Sequence, residues 1–155
     1  MKKDFTRDYI TEVFRLYAAM GKPTHQQASE MVYEKELFKH SNLQPQVAIT
    51  QAEKAVENNT ALLLDILAAE RTIRLLEQGE KEYIVAAVKA VYFAEPKAPI
   101  RKGDVSARVR RFSLEYPVDE RTAYRWLKEA RLLCAALRGL RIETTDTAKY
   151  RFYLL

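Results

Sequence analysis

Apolar residues recur at helical spacing along the first part of the chain. Over residues 4–20 they follow a period close to 3.6 residues, and Gly21 and Pro23 end the pattern. Residues 24–40 repeat the pattern after a threonine that suits an N-cap, and residues 80–93 repeat it once more. These runs predict amphipathic helices of an N-terminal helical body.

The longest helical pattern covers residues 46–78, which contain neither glycine nor proline. Apolar residues recur there with an unbroken four-three spacing, which makes a heptad seam of roughly four heptads. Asn59 is the only polar member, and an asparagine in a coiled-coil core can fix register and partner number. The seam positions are Ala48, Ala52, Ala55, Asn59, Leu62, Ile66, Ala69, Ile73 and Leu76.

Two interpretations of this seam stay open, and they can hold together. In one, a single long central helix packs against the first two helices of its own chain. In the other, the seam over 46–78 pairs two chains as an intermolecular coiled coil, which would make the protein a homo-oligomer. The oligomerisation residues would then be Asn59, Leu62, Ile66 and Ile73.

The clearest break in the pattern is the segment AEPKAPIRKG, residues 94–103. It contains prolines and a glycine, loses the helical period and turns basic. We interpret it as a linker between the helical body, residues 1–93, and a C-terminal module, residues 104–155.

The module begins with a helical pattern over residues 105–116, which Pro117 ends because proline disfavours helical geometry at the preceding residue. Asp119 is placed as the N-cap of a second helix over residues 120–138, and Gly139 is placed as its terminator. Two helices joined by a short turn are the outline of a helix-turn-helix, whose second helix enters the major groove of DNA.

The second helix divides its residues between two faces. We predict that Arg121, Thr122 and Arg125 contact base edges, because arginine can bind guanine O6 and N7 with two hydrogen bonds. Lys128 is predicted to contact a phosphate, and the alternative for all of them is an ordinary solvated helix face. The positions predicted to pack inward are Ala123, Trp126 or Leu127, Ala130, Leu133 or Cys134, and Leu137.

The distribution of charge supports a polyanionic partner for the C-terminal part. Residues 1–93 hold 12 Lys and Arg against 13 Asp and Glu, whereas residues 94–155 hold 14 against 8. Such asymmetry is typical of a chain in which one part meets a polyanion and the other meets protein or solvent. A basic surface by itself also suits RNA, acidic membranes or solubility. Further basic residues near the motif are predicted to contact phosphates: Arg101, Lys102, Arg108, Arg110 and Arg111.

Catalytic chemistry is not indicated. The chain has no Gly-rich phosphate loop, no nucleophile paired with a base and no metal-ligand spacing, so we expect neither an enzyme nor a metal or cofactor. Cys134 cannot form an internal disulfide and is predicted to fill the core. No apolar run reaches about 18 residues and the N-terminus does not resemble a secretory signal, so we expect no membrane partner and a cytoplasmic location.

The last residues, 140–155, change character. Residues of high β propensity flank the TDTA segment, which predicts a short β-hairpin beside the second helix. The alternative is a C-terminal strand or coil that packs on the body.

The residues of the motif resemble a known family. The segment YPVDERTAYRWLKEA, residues 116–130, is similar to the turn and recognition helix of sigma-factor region four, and especially to phage transcription regulators of the RinA and ArpU types. Phe112-Ser113 and Tyr116 fall where such proteins place Ile-Ala and Leu, and Val118 falls at their buried turn position.

The resemblance extends to Tyr92-Phe93, which resembles the Tyr-Phe that those regulators carry before the motif. The sequence departs from their pattern at Pro117, where a turn glycine is usual, and over residues 94–109, which form a longer link. The resemblance implies a transcription regulator of phage or prophage origin that meets RNA polymerase.

The sequence thus predicts an all-α protein with a long central helix, a C-terminal helix-turn-helix and a short β-hairpin. The predicted function is sequence-specific binding of double-stranded DNA in transcription regulation. The alternative is a helical protein-interaction or assembly module whose basic end binds RNA or an acidic partner.

Overall fold

Helices account for most of the chain. The computed structural model describes residues 4–140, and within that range it contains helices and no strand, which confirms the predicted all-α class. The predicted β-hairpin lies outside the described residues. The helices are α1 Phe5–Ala19, α2 His25–Lys39, α3 Pro45–Asn58, α4 Thr60–Gln78, α5 Glu82–Val91, α6 Asp104–Glu115 and α7 Glu120–Arg138.

Local chemistry at the helix ends explains several of these boundaries. The side chain of Asp4 caps α1, and Thr24 and Gln27 form a reciprocal capping box at the start of α2. Asp119 caps α7, and Gly139 ends it at a positive φ of 83°, a left-handed conformation that glycine adopts without strain. These are the boundaries that the sequence predicted for α2 and α7.

The prediction of one long helix over residues 46–78 is wrong, because Asn59 separates α3 from α4. The Nδ2 group of Asn59 donates to the carbonyl of Ala55 at 2.7 Å, and Thr60 Oγ1 donates to the carbonyl of Glu57 at 2.7 Å. Such side chains compete with the helical ladder for backbone groups, which weakens a helix where they cluster. The polar seam member is therefore the point at which the helix breaks.

The seam of α4 faces the interior of its own chain. Ile66 and Ile73 belong to the core, and Leu62 packs half-buried against it. Ile66 and Ile73 are therefore covered by other parts of their own chain, so a second chain cannot contact them in this structure. In the described part of the chain, the interpretation as internal packing accounts for this half of the seam.

One core unites the two predicted parts of the chain. Val91 of the predicted body, Val109 of α6 and Leu127 of α7 are all completely buried in the same apolar cluster. The packing therefore joins the predicted module to the predicted body instead of separating them. The largest fully buried apolar side chains are Phe14, Ile10, Ile66, Ile84, Leu127, Val88, Val91 and Val109.

Helices α2 and α3 pack mainly against each other, and α2 also contacts α4. Ala48 and Ala52 are buried on α3, and Ala28 of α2 reaches the main core. Near the turn between the two helices, Phe38 is 81% exposed and Leu43 is also exposed.

Residues 94–103 are held by a buried arginine of α1. Arg15 is only 3% exposed, and burial lowers the pKa of its guanidinium, which nevertheless stays charged as arginines do. Its NH1 group donates to the carbonyls of Tyr92 and Ala94 at 3.1 and 3.2 Å, and its NH2 group donates to those of Glu95, at 2.8 Å, and Ala98. The predicted linker is therefore a braced loop.

A second polar contact ties the end of α7 to the body. The carboxylate of Asp65 on α4 accepts hydrogen bonds from the Tyr9 hydroxyl at 2.7 and 2.8 Å and from Arg138 Nε at 2.6 Å. Burial and then this carboxylate raise the pKa of Tyr9, and the same carboxylate raises the pKa of Arg138. Three helices, α1, α4 and α7, meet at this Asp65 cluster.

Replacing Arg15 with methionine should lower the free energy of unfolding by about 2–4 kcal/mol, because the buried Tyr92 carbonyl and three partly buried carbonyls would lose a charged donor. Urea denaturation followed by circular dichroism measures the change. Arg74→Met is the matched control, since the Arg74 side chain is 54% exposed, and should cost less than about 0.5 kcal/mol. Equal losses in the two variants would contradict the bracing role of Arg15.

Candidate nucleic-acid interface

The start of α7 is set by its cap. Asp119 Oδ1 accepts a hydrogen bond from the backbone N–H of Thr122 at 2.7 Å, and this bond lowers the pKa of the Asp119 carboxyl below its ordinary value. The positive charges of Arg121 and Arg125 act in the same direction. The cap determines where the helix begins, and therefore which side chains of its first turns point outward.

The outward face of α7 is basic. Arg121, Tyr124, Arg125 and Lys128 are all exposed, at the spacing of one helix face. We call these four residues the α7 stripe. Thr122, which was predicted to contact a base edge, is only partly exposed, and its backbone and side chain both hydrogen-bond to Asp119. Thr122 thus serves the cap.

Tyr124 was not among the predicted site residues, although its position gave a signal. It lies three residues after Arg121 and four before Lys128, so a helical projection places it between the predicted contacts. It is 41% exposed in the structure.

The inward face of α7 agrees with the prediction. The predicted residues Ala123, Leu127, Ala130, Leu133 and Cys134 are buried, as are Ala135 and Ala136, and Trp126 and Leu137 pack partly buried against the core.

An aromatic cluster fixes α7 against its neighbours. Trp126 lies with its ring centroid 4.8 Å from Tyr83 of α5, 6.4 Å from Phe112 of α6 and 5.8 Å from Tyr116. Offset and edge-to-face arrangements at these separations are the favoured aromatic geometries. The cluster sets how α7 lies relative to α5 and α6.

Residues 116–119 connect α6 to α7. Tyr116 has extended backbone angles, φ −110° and ψ 110°, as the residue before Pro117 should. Val118 is partly buried and packs against the core. The connection is therefore short and anchored, with α6 ending one residue before the predicted 116.

The arginines of α6 divide into two kinds. Arg110 and Arg111 are exposed, and Arg110 Nε lies 3.6 Å from Glu120 Oε1 on α7. Arg108 instead turns inward: its side chain is 12% exposed, its NH1 group donates to the Val91 carbonyl at 2.9 Å, and its NH2 group lies 3.7 Å from Glu95.

The prediction of Arg108 as a phosphate contact is corrected by this geometry. Arg108 lies four residues before Phe112 and three after Val105, on the side of α6 that packs against the core, so its guanidinium is occupied by the braced loop. The helical spacing of α6 already contained this signal.

Arg101 and Lys102 lie on the braced loop, apart from the arginines of α6. Both are exposed, and both line a cleft of about 470 Å³ between α1, the loop and α7. The predicted basic residues are thus presented at two places, the outward surface of α6 and α7 and this cleft.

Residues 4–140 contain no group of three or more His, Cys, Asp or Glu side chains arranged to hold a metal ion. No helix in that range combines the length and the apolar character needed to cross a bilayer.

Comparisons with protein families, with curated proteins and with solved structures found no match. The resemblance of residues 116–130 to the RinA and ArpU regulators therefore stays a prediction.

Truncating Arg108 should destabilise the fold. Arg108→Ala removes a charged donor from a largely buried carbonyl, so the free energy of unfolding should fall by about 1.5–3 kcal/mol. Arg111→Ala, on the exposed side of the same helix, should change it by less than about 0.5 kcal/mol. Urea denaturation compares the two variants, and a loss in Arg111→Ala as large as that in Arg108→Ala would refute the inward role.

Cys134 should be unreactive in the folded chain. Burial raises the pKa of its thiol from 9.0 to about 12, and only the thiolate reacts with disulfide reagents. At pH 8, labelling by a chromogenic disulfide reagent should be at least ~100-fold slower than in urea-unfolded chain. Labelling at the same rate in both states would contradict the buried position.

The raised pKa of Cys134 also makes the stability of the fold depend on pH. Folded Cys134 keeps its proton up to about pH 12, whereas the unfolded thiol ionises near 9.0. The contribution of this group to stability is therefore complete below that lower value and is lost as the pH rises towards the higher one.

Proposed function

We propose that the protein binds double-stranded DNA and that α7 is its recognition helix. The observation that carries the proposal is the α7 stripe: two arginines, a tyrosine and a lysine exposed on one face of the first turns of a capped helix. The face lies directly after a four-residue connection from α6, as in a helix-turn-helix.

The side chains of the α7 stripe can bind the groups that the major groove of DNA presents. Arg121 and Arg125 can each donate two hydrogen bonds to O6 and N7 of a guanine, and Lys128 suits a phosphate oxygen. Arg110 and Arg111, on the neighbouring exposed surface of α6, are assigned to the phosphates of the groove edge.

The packing of α7 supports entry by its N-terminus. A helix with its side chains is about 10–12 Å wide and the major groove is about 12 Å wide, so an exposed helix segment fits. The second half of α7 is enclosed, because Leu133 and Cys134 are buried and Arg138 bonds to Asp65. The segment from Asp119 to Lys128 is therefore the part of α7 that presents exposed side chains to a groove.

Transcription regulation by contact with RNA polymerase is the biological role that we propose, and it rests on the resemblance of residues 116–130. The alternative of an assembly module loses part of its basis, because Ile66 and Ile73 of the seam are core residues of the same chain.

Binding of a random-sequence duplex tests the proposal. Fluorescence anisotropy between 50 and 200 mM salt should show association that weakens steeply with salt, since each phosphate contact contributes about −0.9 to the slope of log K against log salt. Arg121→Ala combined with Arg125→Ala should weaken binding at least ~10-fold and make the salt dependence less steep, because sequence-independent binding depends on the cations that face the DNA backbone.

The control for this double variant is Lys35→Ala combined with Lys39→Ala, which removes the same charge from exposed positions of α2. If both pairs weaken binding equally, net charge and not α7 explains the affinity. If the unsubstituted chain does not bind duplex DNA, the proposed function is wrong.

A further inference from the structure

The cleft between α1, the braced loop and α7 has the character of an anion site. Four of its lining side chains are cationic and come from three separate elements: Arg7 from α1, Arg101 and Lys102 from the loop, and Arg131 from α7. Its volume of about 470 Å³ lies in the range of ligand pockets, roughly 300–1,000 Å³.

Two carboxylates also line the cleft, Asp8 and Glu12 of α1, so the lining keeps a positive excess. Asp8 Oδ1 lies 3.6 Å from Arg7 Nε, and both side chains are more than half exposed. An exposed ion pair of this kind contributes little to stability, and an incoming anion can compete for the arginine.

Arg131 and the start of α6 form the remaining wall of the cleft. Arg131 NH1 donates to the Tyr92 hydroxyl at 2.7 Å, which orients the guanidinium within the cleft. The start of α6 also lies here, because Gly103 and Val105 line the cleft and Gly103 supplies no side-chain cap. The first turn of α6 also carries Asp104, whose N–H donates to the Arg101 carbonyl and whose carboxylate accepts from the Arg101 N–H at 2.7 Å. The cationic side chains, and not this helix end, therefore supply the attraction for an anion.

The braced loop that carries Arg101 and Lys102 is fixed by hydrogen bonds and an ion pair to α1 and α6. Arg15 binds four carbonyls between residues 92 and 98, and Arg108 pairs with Glu95. The two cationic side chains therefore project from a fixed backbone, which reduces the entropy lost when they bind.

The cleft adjoins the surface proposed for DNA, because Tyr124 belongs both to its lining and to the α7 stripe. Tyr124 and Arg131 are about 10 Å apart along the helix axis, or about three base-pair steps of one strand. A DNA strand that contacts the α7 stripe would therefore place one of its backbone phosphates at the cleft.

We infer that this cleft binds a phosphate group, and that in the DNA complex the group is a backbone phosphate flanking the base pairs that α7 approaches. The inference rests on the proposed function, because it takes the bound phosphate to be part of the DNA. It adds α1 and the braced loop to the interface.

Duplex binding tests the inference first. Arg101→Ala combined with Lys102→Ala should reduce the steepness of the salt dependence by about 0.9 or more, one phosphate contact being worth that amount. The matched control is Lys89→Ala combined with Lys97→Ala, which removes equal charge from exposed positions outside the cleft, one of them on the same loop. Equal changes in the two double variants would overturn the inference.

Titration of the DNA-free protein with inorganic phosphate, at constant ionic strength, is the second test. The amide resonance of Gly103 should shift and saturate with phosphate but not with chloride, and the Arg101/Lys102 double variant should abolish the shift. Asp8→Asn should tighten phosphate binding, because it removes the carboxylate that competes for Arg7. Damage to the fold would not tighten binding.

The two tests separate this inference from the proposed function. If DNA binding responds to the Arg121/Arg125 variant but not to the Arg101/Lys102 variant, the cleft is not a backbone site and the proposed function stands. If the chain does not bind duplex DNA, the proposed function fails, and phosphate saturation alone decides whether the cleft is an anion site. The third outcome is that the cleft saturates with phosphate while the Arg101/Lys102 variant leaves the salt dependence of DNA binding unchanged. The cleft would then bind a small phosphorylated ligand, and its assignment to a DNA backbone phosphate would be overturned.

Discussion

The guanidinium of Arg15 satisfies the carbonyl groups that follow α5, and much of the remaining structure depends on that contact. The last carbonyls of a helix have no partner within the helix and carry a partial negative charge. Arg15 is a buried cation that donates to the carbonyl of the C-cap residue Tyr92 and to three carbonyls of the loop that follows it. With this contact in place the chain can turn directly from α5 towards α6, and Arg108 completes the turn by binding the Val91 carbonyl.

Helix α6 consequently starts at a defined point, and the orientation of α7 follows from it. The Trp126 cluster holds the first half of α7 against α5 and α6, and the Asp65 cluster holds its last turn. A recognition surface needs side chains held by rigid elements, because rotation of the helix would move every contact. In this chain the Trp126 cluster and the Asp65 cluster hold α7 at its two ends.

Sequence reasoning succeeded where the determining chemistry is local. The capping residues Thr24, Asp119 and Gly139 act within a few residues of their own positions, so the pattern alone located the ends of α2 and α7. The basic character of the outward face of α7 was also predictable from helical spacing, as was its buried face.

It failed where the outcome depends on distant partners or on competing hydrogen bonds. A heptad pattern depends on apolar spacing only, so it continues through Asn59, whose side chain competes with backbone donors for the Ala55 carbonyl. Arg15 lies 77 positions from its nearest carbonyl partner in the sequence, and no local pattern connects them. A basic segment with prolines therefore has the composition of a linker even though a remote side chain fixes it.

The Asp65 cluster has a consequence for how this chain can diversify. Many DNA-binding motifs are passed between proteins as self-contained units, because their stability resides within the motif. In this chain the last turn of the proposed recognition helix takes its hydrogen-bond partner from α4 and shares it with Tyr9 of α1. Recombination at the segment 94–103 would leave Arg138 and Asp65 in different proteins, each without its partner. Substitutions in α7 and substitutions in the N-terminal helices therefore affect each other, and the two parts should be inherited as one unit.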